Sequence, residues 1–306
     1  MKSSENSRHL TLYEAARDMG VTFSKEWAPN NKFVAANELN FHYLEWGHQE
    51  NPTIIVLHGF AQQAHSWDFV ALSFCDRYRV IALDQRGHGD TSWAKDGNYS
   101  LKVFQNDLEL VVEKLALKNF ILMGLSMGGR NAIMYAANNP DKVDALVIVD
   151  ASPENMEKGT INIRNFVEQD DQLNSLEEFV ERIHRFNPRR DPIHIRSSIA
   201  NNLKQLNNGK WTWKYDKVLR SHGLPSSAQD PSITNRLWRS IEKINCPTLV
   251  VTGDKSDIVS KKTLSRMLQR LPNGHEAVVH DAGHLVMGDN PSGFEKAVST
   301  FIATAT

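Results

Sequence analysis

The chain has little cysteine and no long hydrophobic run. Its 2 cysteines, Cys75 and Cys246, each stand among apolar residues, so they supply neither a disulfide framework nor a zinc-ligand spacing. No stretch approaches the roughly 18 apolar residues of a membrane-spanning helix. Residues 1–20 contain no apolar segment of the kind that a secretory signal needs. These absences predict a cytoplasmic protein with free thiols and no membrane segment.

An excess of charge of one sign is also missing. The 306 residues include 35 Lys and Arg against 36 Asp and Glu, a formal net charge of −1. Such a balance gives no electrostatic basis for binding nucleic acid or an anionic membrane. There is also no His-x-x-x-His pair and no carboxylate cluster at metal-ligand spacing, so no metal centre is expected.

The sequence does contain short apolar runs, and these alternate along the chain with segments in which apolar residues recur at helical spacing. This rhythm predicts βαβ units and a largely parallel sheet. A hairpin is expected first, and six further strands follow along the chain. The predicted strands are residues 32–36, 39–46, 53–57, 78–83, 120–123, 143–149, 248–252 and 275–279, with helices over 66–75, 101–115, 131–137, 261–271 and 291–302.

The rhythm stops in the middle of the chain and resumes near residue 244. The interrupted part has helical stretches but no strand-like run, which predicts a helical insertion between two strands of one sheet. We therefore expect an N-terminal extension over residues 1–30, a core over 31–151 and 244–306, and a helical cap (lid) over 152–243. In the extension, Leu12, Tyr13, Ala16 and Met19 can form one face of a short helix.

One stretch carries a recognisable chemical pattern. The buried strand at 120–123 leads into Gly124-Leu125-Ser126-Met127-Gly128, and a helical segment follows. A G-x-S-x-G at a strand-to-helix turn predicts a nucleophile elbow, in which a strained serine is exposed above the sheet. The glycines are needed because so sharp a turn leaves no room for a Cβ atom.

With these elements placed, the chain resembles an α/β-hydrolase with a helical cap. Four stretches carry the resemblance, and their order and spacing are more specific than any one of them: His58-Gly59-Phe60, residues 84–90, the Ser126 elbow and Gly283-His284. The resemblance implies an α/β fold with a mostly parallel eight-stranded sheet flanked by helices and an inserted helical cap.

The same resemblance assigns catalytic roles. Ser126 is expected to be the nucleophile and His284 the general base, with an acid between them in chain order. Asp257, after the seventh strand, is the favoured acid, and Asp150 and Asp254 are the alternatives. The backbone N–H groups of Phe60 and Met127 are expected to form the oxyanion hole. His58 and the loop at residues 86–90 are expected to be structural.

A serine at the elbow argues against the dehalogenases and epoxide hydrolases of this fold, which use aspartate there. The predicted function is a carboxylesterase that acts on small or medium esters without a cofactor, as a monomer or homodimer. A lactonase remains open, as does a lyase like the menaquinone-pathway enzyme, whose Ser-Met-Gly-Gly-Arg motif recurs at residues 126–130. A non-enzymatic alternative is a hydrolase-like receptor for a small molecule.

Two features of the cap bear on the substrate. Basic residues are concentrated in one part of it, at Arg182, His184, Arg185, Arg189, Arg190, His194 and Arg196. Such a cluster is more typical of a solvated helix face, and the alternative is a site for a substrate that carries a carboxylate. Trp211, Trp213 and Tyr215 can line an acyl pocket or pack within the cap.

Overall fold

The computed structural model describes residues 9–221 and 230–305, and the strands and helices alternate within them. The strands are β1 (Asn30–Ala36), β2 (Leu39–Trp46), β3 (Thr53–Leu57), β4 (Arg79–Leu83), β5 (Phe120–Leu125), β6 (Val143–Val149), β7 (Leu203–Gln205), β8 (Trp211–Trp213), β9 (Thr248–Gly253) and β10 (Gly274–Val279). The helices are α1 (Leu12–Asp18), α2 (Asp68–Phe74), α3 (Leu101–Lys114), α4 (Met127–Asn138), α5 (Glu157–Val167), α6 (Leu176–Phe186), α7 (Pro192–Ile199), α8 (Val218–Ser221), α9 (Pro231–Ile241), α10 (Lys261–Arg270), α11 (Val286–Asp289) and α12 (Pro291–Ala305). No helix in these ranges is both long and apolar enough to cross a bilayer.

The main sheet confirms the predicted fold class. Its 8 strands lie in the order β1-β2-β4-β3-β5-β6-β9-β10. Strand β2 is antiparallel to β1 and β4, and the remaining neighbours are parallel. Because β3, β5, β6 and β9 are buried between helices on both faces, they read as continuous apolar runs rather than alternating ones.

Each face of the sheet has its own hydrophobic core. One core joins the sheet to α1, α2 and α12, with Phe294 and Val298 at its centre. The other joins it to α3, α4, α9 and α10, around Ile133 and Leu237. The two layers hold the parallel strands so that their C-terminal ends meet at one edge, where ligand sites of open α/β sheets form.

The N-terminal extension is partly built into the first of these cores. Helix α1 begins at a capping box formed by Thr11 and Glu14, and Ala16 is fully buried against the core cluster. The predicted helical face is therefore a packing face. The same helix meets the cap, since Asp18 Oδ2 lies 2.7 Å from His194 Nε2 on α7. Residues 1–8 of the predicted extension lie outside the described residues.

The middle segment departs from its prediction in two ways. It contains a short hairpin of β7 and β8, although no strand was predicted there. Three residues in each strand give too little alternation to be recognised in sequence. Helix α9 was placed in the cap, but Leu237 and Ile241 are buried in the core against α4. The part of the predicted cap at residues 222–229 lies outside the described residues.

The packing of α1 predicts that Ala16→Asp destabilises the protein. An unpaired carboxylate would enter an apolar core, so the free energy of unfolding should fall by about 2–4 kcal/mol. Urea denaturation followed by circular dichroism measures this. Ala303→Asp, at an exposed position of α12, is the matched control and should change stability little. Equal stability of the two variants would show that α1 does not pack as described.

Candidate active site

Ser126 occupies a strained turn between β5 and α4. Its φ of 53° and ψ of −113° lie in a region that residues with side chains rarely adopt. The turn is held by the Ser126 N–H, which donates to Val149 O at 3.0 Å, and by the Arg130 N–H, which donates to Ser126 O at 3.0 Å. The serine hydroxyl lies at the N-terminus of α4 and lines a large cavity.

The glycines around Ser126 are required by close backbone contacts. A Cβ atom on Gly124 would stand 2.3 Å from Gly128 O, and one on Gly128 would stand 2.3 Å from Leu57 O. Both distances are shorter than any tolerated contact, and the opposing atoms are backbone. The G-x-S-x-G pattern is therefore a steric condition for packing the elbow against β3.

The predicted base, His284, is hydrogen-bonded to Asp150. His284 Nδ1 lies 2.6 Å from Asp150 Oδ2. Asp150 is fully buried, while the His284 side chain is 21% exposed. The carboxylate was expected from Asp257, whereas the carboxylate that contacts His284 in the structure belongs to Asp150. The structure thus favours the alternative that sequence reasoning ranked second.

The position of Asp150 follows from the strand that precedes it. It comes directly after β6, with a left-handed φ of 41°, and its N–H donates to Val251 O at 2.8 Å. Ser256, in the loop after β9, donates its hydroxyl to Asp150 Oδ2 at 2.5 Å. The β9 loop thus supplies a hydrogen-bond donor to the acid rather than the acid itself. No sequence pattern identified Ser256 for this task.

Asp257 and Asp254 have other contacts. Asp257 Oδ2 accepts a hydrogen bond from Asn162 Nδ2 of α5 at 2.8 Å, and this links the β9 loop to the cap. Asp254 forms an ion pair with its neighbour Lys255, at 3.1 Å. Asp257 still lines the same cavity as Ser126 and His284. Its hydrogen bond to the cap explains an acidic residue here without a catalytic role.

The loop that carries His284 is fixed by Asp289. The Gly283 N–H donates to Asp289 Oδ2 at 2.8 Å, and Asn187 of the cap donates to Asp289 Oδ1 at 2.8 Å. Helix α11, which holds Asp289, therefore positions the His284 loop and one end of a cap segment together. No sequence pattern indicated this contact, because Asp289 lies in a four-residue helix and its cap partner Asn187 is 102 residues away in the chain.

Both residues whose backbone N–H groups were predicted to form the oxyanion hole line the cavity. Met127 is the first residue of α4, so its N–H has no partner within the helix. Phe60 lies in the loop after β3, and no described residue accepts a hydrogen bond from its N–H. Both residues line the cavity beside Ser126. The predicted roles of these two groups are compatible with their positions and stay predictions.

His58 stabilises the loop that contains Phe60 through two hydrogen bonds of its ring. Its Nε2 accepts from the Gln85 N–H at 3.0 Å, so the proton resides on Nδ1, which donates to Gly59 O at 2.7 Å. Burial lowers the pKa of His58 and keeps the ring neutral. Its structural role, expected from sequence, agrees with these contacts.

The loop at residues 84–90 is also held in place by hydrogen bonds and by an ion pair. Arg86 forms a buried two-point ion pair with Asp107, at 2.6 and 2.8 Å. His42, Asp84 and Asp90 bring ligand atoms within 4.8 Å of one another. Asp84, however, already accepts from the Ala64 and Asp90 N–H groups and contacts His42. These contacts account for the cluster as part of the loop.

The cavity itself measures about 1410 Å³ and lies between the C-terminal edge of the sheet and the cap. Aromatic side chains from both parts line it, including Phe60, Phe166 and Trp213. Trp213 also packs edge-on against Phe179, with ring centroids 4.9 Å apart, in the hydrophobic cluster of the cap. Trp213 therefore both lines the cavity and packs within the cap.

Comparison with known proteins agrees with this architecture. A model of the alpha/beta hydrolase fold family matches residues 52–291. This chain belongs to that family. Esterase Rv0045c of Mycobacterium tuberculosis is 30% identical over 258 residues, which cover 81% of this chain and 81% of the relative. Its crystal structure matches this α/β-hydrolase with a TM-score of 0.75 at 27% identity, over 95% of this chain and 96% of that chain.

A second relative is also named as a hydrolase. The 3-hydroxybutyrate-oligomer hydrolase of Cupriavidus necator is 28% identical over 254 residues, 79% of this chain and 86% of the relative. These matches span most of each protein. The α/β-hydrolase described here is therefore comparable with its relatives over the sheet, the elbow and the cap alike.

The contact between His284 and Asp150 predicts a distinctive proton resonance. A proton held on Nδ1 between the imidazole and a buried carboxylate should give a strongly downfield signal in the ¹H spectrum of this α/β-hydrolase. Asp150→Asn should abolish the signal, and Asp257→Asn should leave it in place. Loss of the signal in Asp257→Asn, with retention in Asp150→Asn, would return the acid to its sequence-predicted position.

Proposed function

We propose that this α/β-hydrolase is a serine carboxylesterase whose triad is Ser126, His284 and Asp150. The observation that carries the proposal is the 2.6 Å contact between His284 and Asp150 at the edge of the cavity that the strained Ser126 also lines. The names of its relatives, an esterase and an oligomer hydrolase, support ester hydrolysis.

In the first half of the proposed reaction, Ser126 Oγ attacks the ester carbonyl and its proton passes to His284 Nε2. This nitrogen is available because Nδ1 is engaged by Asp150. The buried carboxylate fixes the imidazole tautomer and stabilises the imidazolium. Collapse of the tetrahedral intermediate breaks the acyl–oxygen bond, and His284 returns the proton to the departing alkoxide.

In the second half, water replaces the alcohol. The water oxygen attacks the acyl-enzyme carbonyl while His284 Nε2 accepts one proton from that water. Ser126 then leaves with that proton, and the carboxylic acid is released. In both halves the negative charge on the carbonyl oxygen would be met by the N–H groups of Phe60 and Met127. The N-terminal end of α4 adds a favourable dipole there.

The lack of a hydrogen bond between Ser126 Oγ and His284 among the described residues does not oppose this mechanism. Catalytic hydrogen bonds are often long without substrate and shorten when it binds. His284 keeps some exposure to the cavity. A modest movement of the side chain is thus compatible with its role as the base.

The proposal predicts ester turnover that depends on Ser126. A series of 4-nitrophenyl esters of increasing acyl length should be hydrolysed, with a length optimum set by the aromatic lining of the cavity. Ser126→Ala should reduce kcat by several orders of magnitude. A folded protein that hydrolyses no member of the series would refute a general esterase, and lactonase, lyase or receptor function would then be favoured.

The identity of the acid gives a second kinetic prediction. Asp150→Asn should lower kcat by about 10³- to 10⁴-fold, because the amide favours the wrong tautomer of His284. Asp257→Asn removes a carboxylate of equal size near the same cavity and should keep kcat within its order of magnitude. Steady-state hydrolysis of one 4-nitrophenyl ester by both variants measures the difference, and the reverse ranking would contradict the proposed triad.

A further inference from the structure

The cavity that contains Ser126 is lined by an unequal set of charges. Among the described residues that line it, 7 are Lys or Arg and 1, Asp257, is acidic. The whole chain, by contrast, carries a net charge of only −1. Arg130 is one of these cations and donates through Nε to Ser152 O. The other six are Lys158, Arg182, Arg185, Arg189, Arg190 and Lys255.

Few of these six cations have a carboxylate partner among the described residues. Lys255 pairs with Asp254, and Arg189 lies 3.9 Å from Asp289 Oδ2, an oxygen that also accepts from the Gly283 N–H. Arg182 contacts a backbone carbonyl, that of Asp170. The single acidic residue of the lining, Asp257, is engaged by Asn162. The positive charge of the cavity is therefore incompletely balanced by the protein.

Cations of the cap that do not line the cavity are arranged differently. Arg196 donates to Glu177 at 2.7 Å, Arg220 pairs with Asp171, and Lys214 lies 2.9 Å from Asp90. The basic cluster seen in the sequence thus consists of two sets. One set, Arg196 and His194, is paired with Glu177 and Asp18. The other set, Arg182, Arg185, Arg189 and Arg190, lines the cavity and has few acidic partners.

Arg190 is the clearest example of a cation that lines the cavity without an ion-pair partner among the described residues. Its side chain is partly buried, and no described residue forms an ion pair or a side-chain hydrogen bond with it. Burial lowers the pKa of its guanidinium, which nevertheless stays protonated at neutral pH. Partial burial of a charge that has no partner carries a free-energy cost. A bound anion would offset that cost.

The neighbouring residue places this charge beside the proposed base. A Cβ atom on Gly283 would stand 2.2 Å from the Arg189 guanidinium, so Arg189 lies directly against the residue before His284. The turn that carries Arg189 and Arg190 is held to the same loop by Asn187 and Asp289. The segment that carries the two arginines is therefore held next to the loop of His284.

We propose that the substrate is an ester that also carries a free carboxylate, which Arg190 and Arg189 bind while Ser126 attacks the ester carbonyl. Guanidinium groups match a carboxylate with two parallel hydrogen bonds, which gives orientation as well as affinity. This inference rests on the proposed esterase function for its chemistry and adds the class of substrate. The products are an alcohol and a carboxylic acid, one of which bears the second carboxylate.

Two matched pairs of esters test the proposal. The first is mono-4-nitrophenyl adipate and its methyl ester, with the carboxylate on the acyl side. The second is 4-acetoxybenzoate and its methyl ester, with the carboxylate on the alcohol side. In at least one pair the charged ester should have the higher kcat/KM, by roughly tenfold to a hundredfold. The rate measured with Ser126→Ala represents the background hydrolysis and is subtracted from every other rate.

Variants connect the preference to the arginines. Arg190→Gln should reduce the ratio of kcat/KM for charged over neutral ester by about tenfold or more, and Arg190→Lys should restore part of it. Arg196→Gln, a cap arginine outside the cavity, is the matched control and should keep the ratio. Each variant is first checked for an unchanged melting temperature. A ratio near one in both pairs, or one equally reduced by Arg196→Gln, would overturn the proposal.

A binding measurement separates this inference from the proposed reaction. Calorimetric titration of Ser126→Ala with adipate should detect binding that Arg190→Gln weakens. Adipate binding without turnover of any ester would refute the esterase function and leave the anion site standing. Turnover without charge preference and without adipate binding would support the esterase function and refute the anion site. Tighter binding of inorganic phosphate than of adipate would overturn the assignment to a carboxylate.

Discussion

The close approach of the β5–α4 turn to strand β3 is the constraint on which the site depends. The turn packs backbone against backbone, so that a single Cβ on Gly124 or Gly128 would overlap a carbonyl oxygen. Ser126 adopts its strained conformation within this packed turn, and because α4 begins at the next residue, the Met127 N–H has no partner within the helix. The proposed nucleophile and a proposed oxyanion-hole donor are thus consecutive residues of one turn. The buried strands on both sides of β5 make the turn rigid enough to retain the strain.

The rest of the site comes from loops that this sheet brings to one edge. Asp150 ends β6, Ser256 follows β9 and His284 follows β10. Because neighbouring parallel strands end at the same edge of the sheet, Asp150 lies within hydrogen-bond distance of both Ser256 and His284. The carboxylate that contacts His284 therefore comes from the end of one strand and accepts a hydrogen bond from a residue that follows the next strand.

This arrangement explains how far the sequence could be interpreted. The order of strands, the elbow and His284 could be predicted because each depends on local patterns: apolar runs, a glycine-flanked serine and a histidine after the last strand. The choice between Asp150 and Asp257 could not, because it depends on which of two carboxylates faces the imidazole after folding. The short strands β7 and β8 were missed for lack of periodicity. Helix α9 was assigned to the cap because its apolar face does not reveal which core it meets.

The cap is held over the cavity by polar contacts that are separate from its own hydrophobic cluster. Asn162 meets Asp257, Asn187 meets Asp289, and His194 meets Asp18 of the N-terminal helix. Two of these contacts end on loops that follow β9 and β10, the strands whose loops also supply Ser256 and His284. A change in cap position would therefore disturb the catalytic loops as well. Asp289 contacts both the cap segment of Asn187 and Arg189 and the loop of His284, so this one carboxylate joins the cap arginines to the proposed catalytic site.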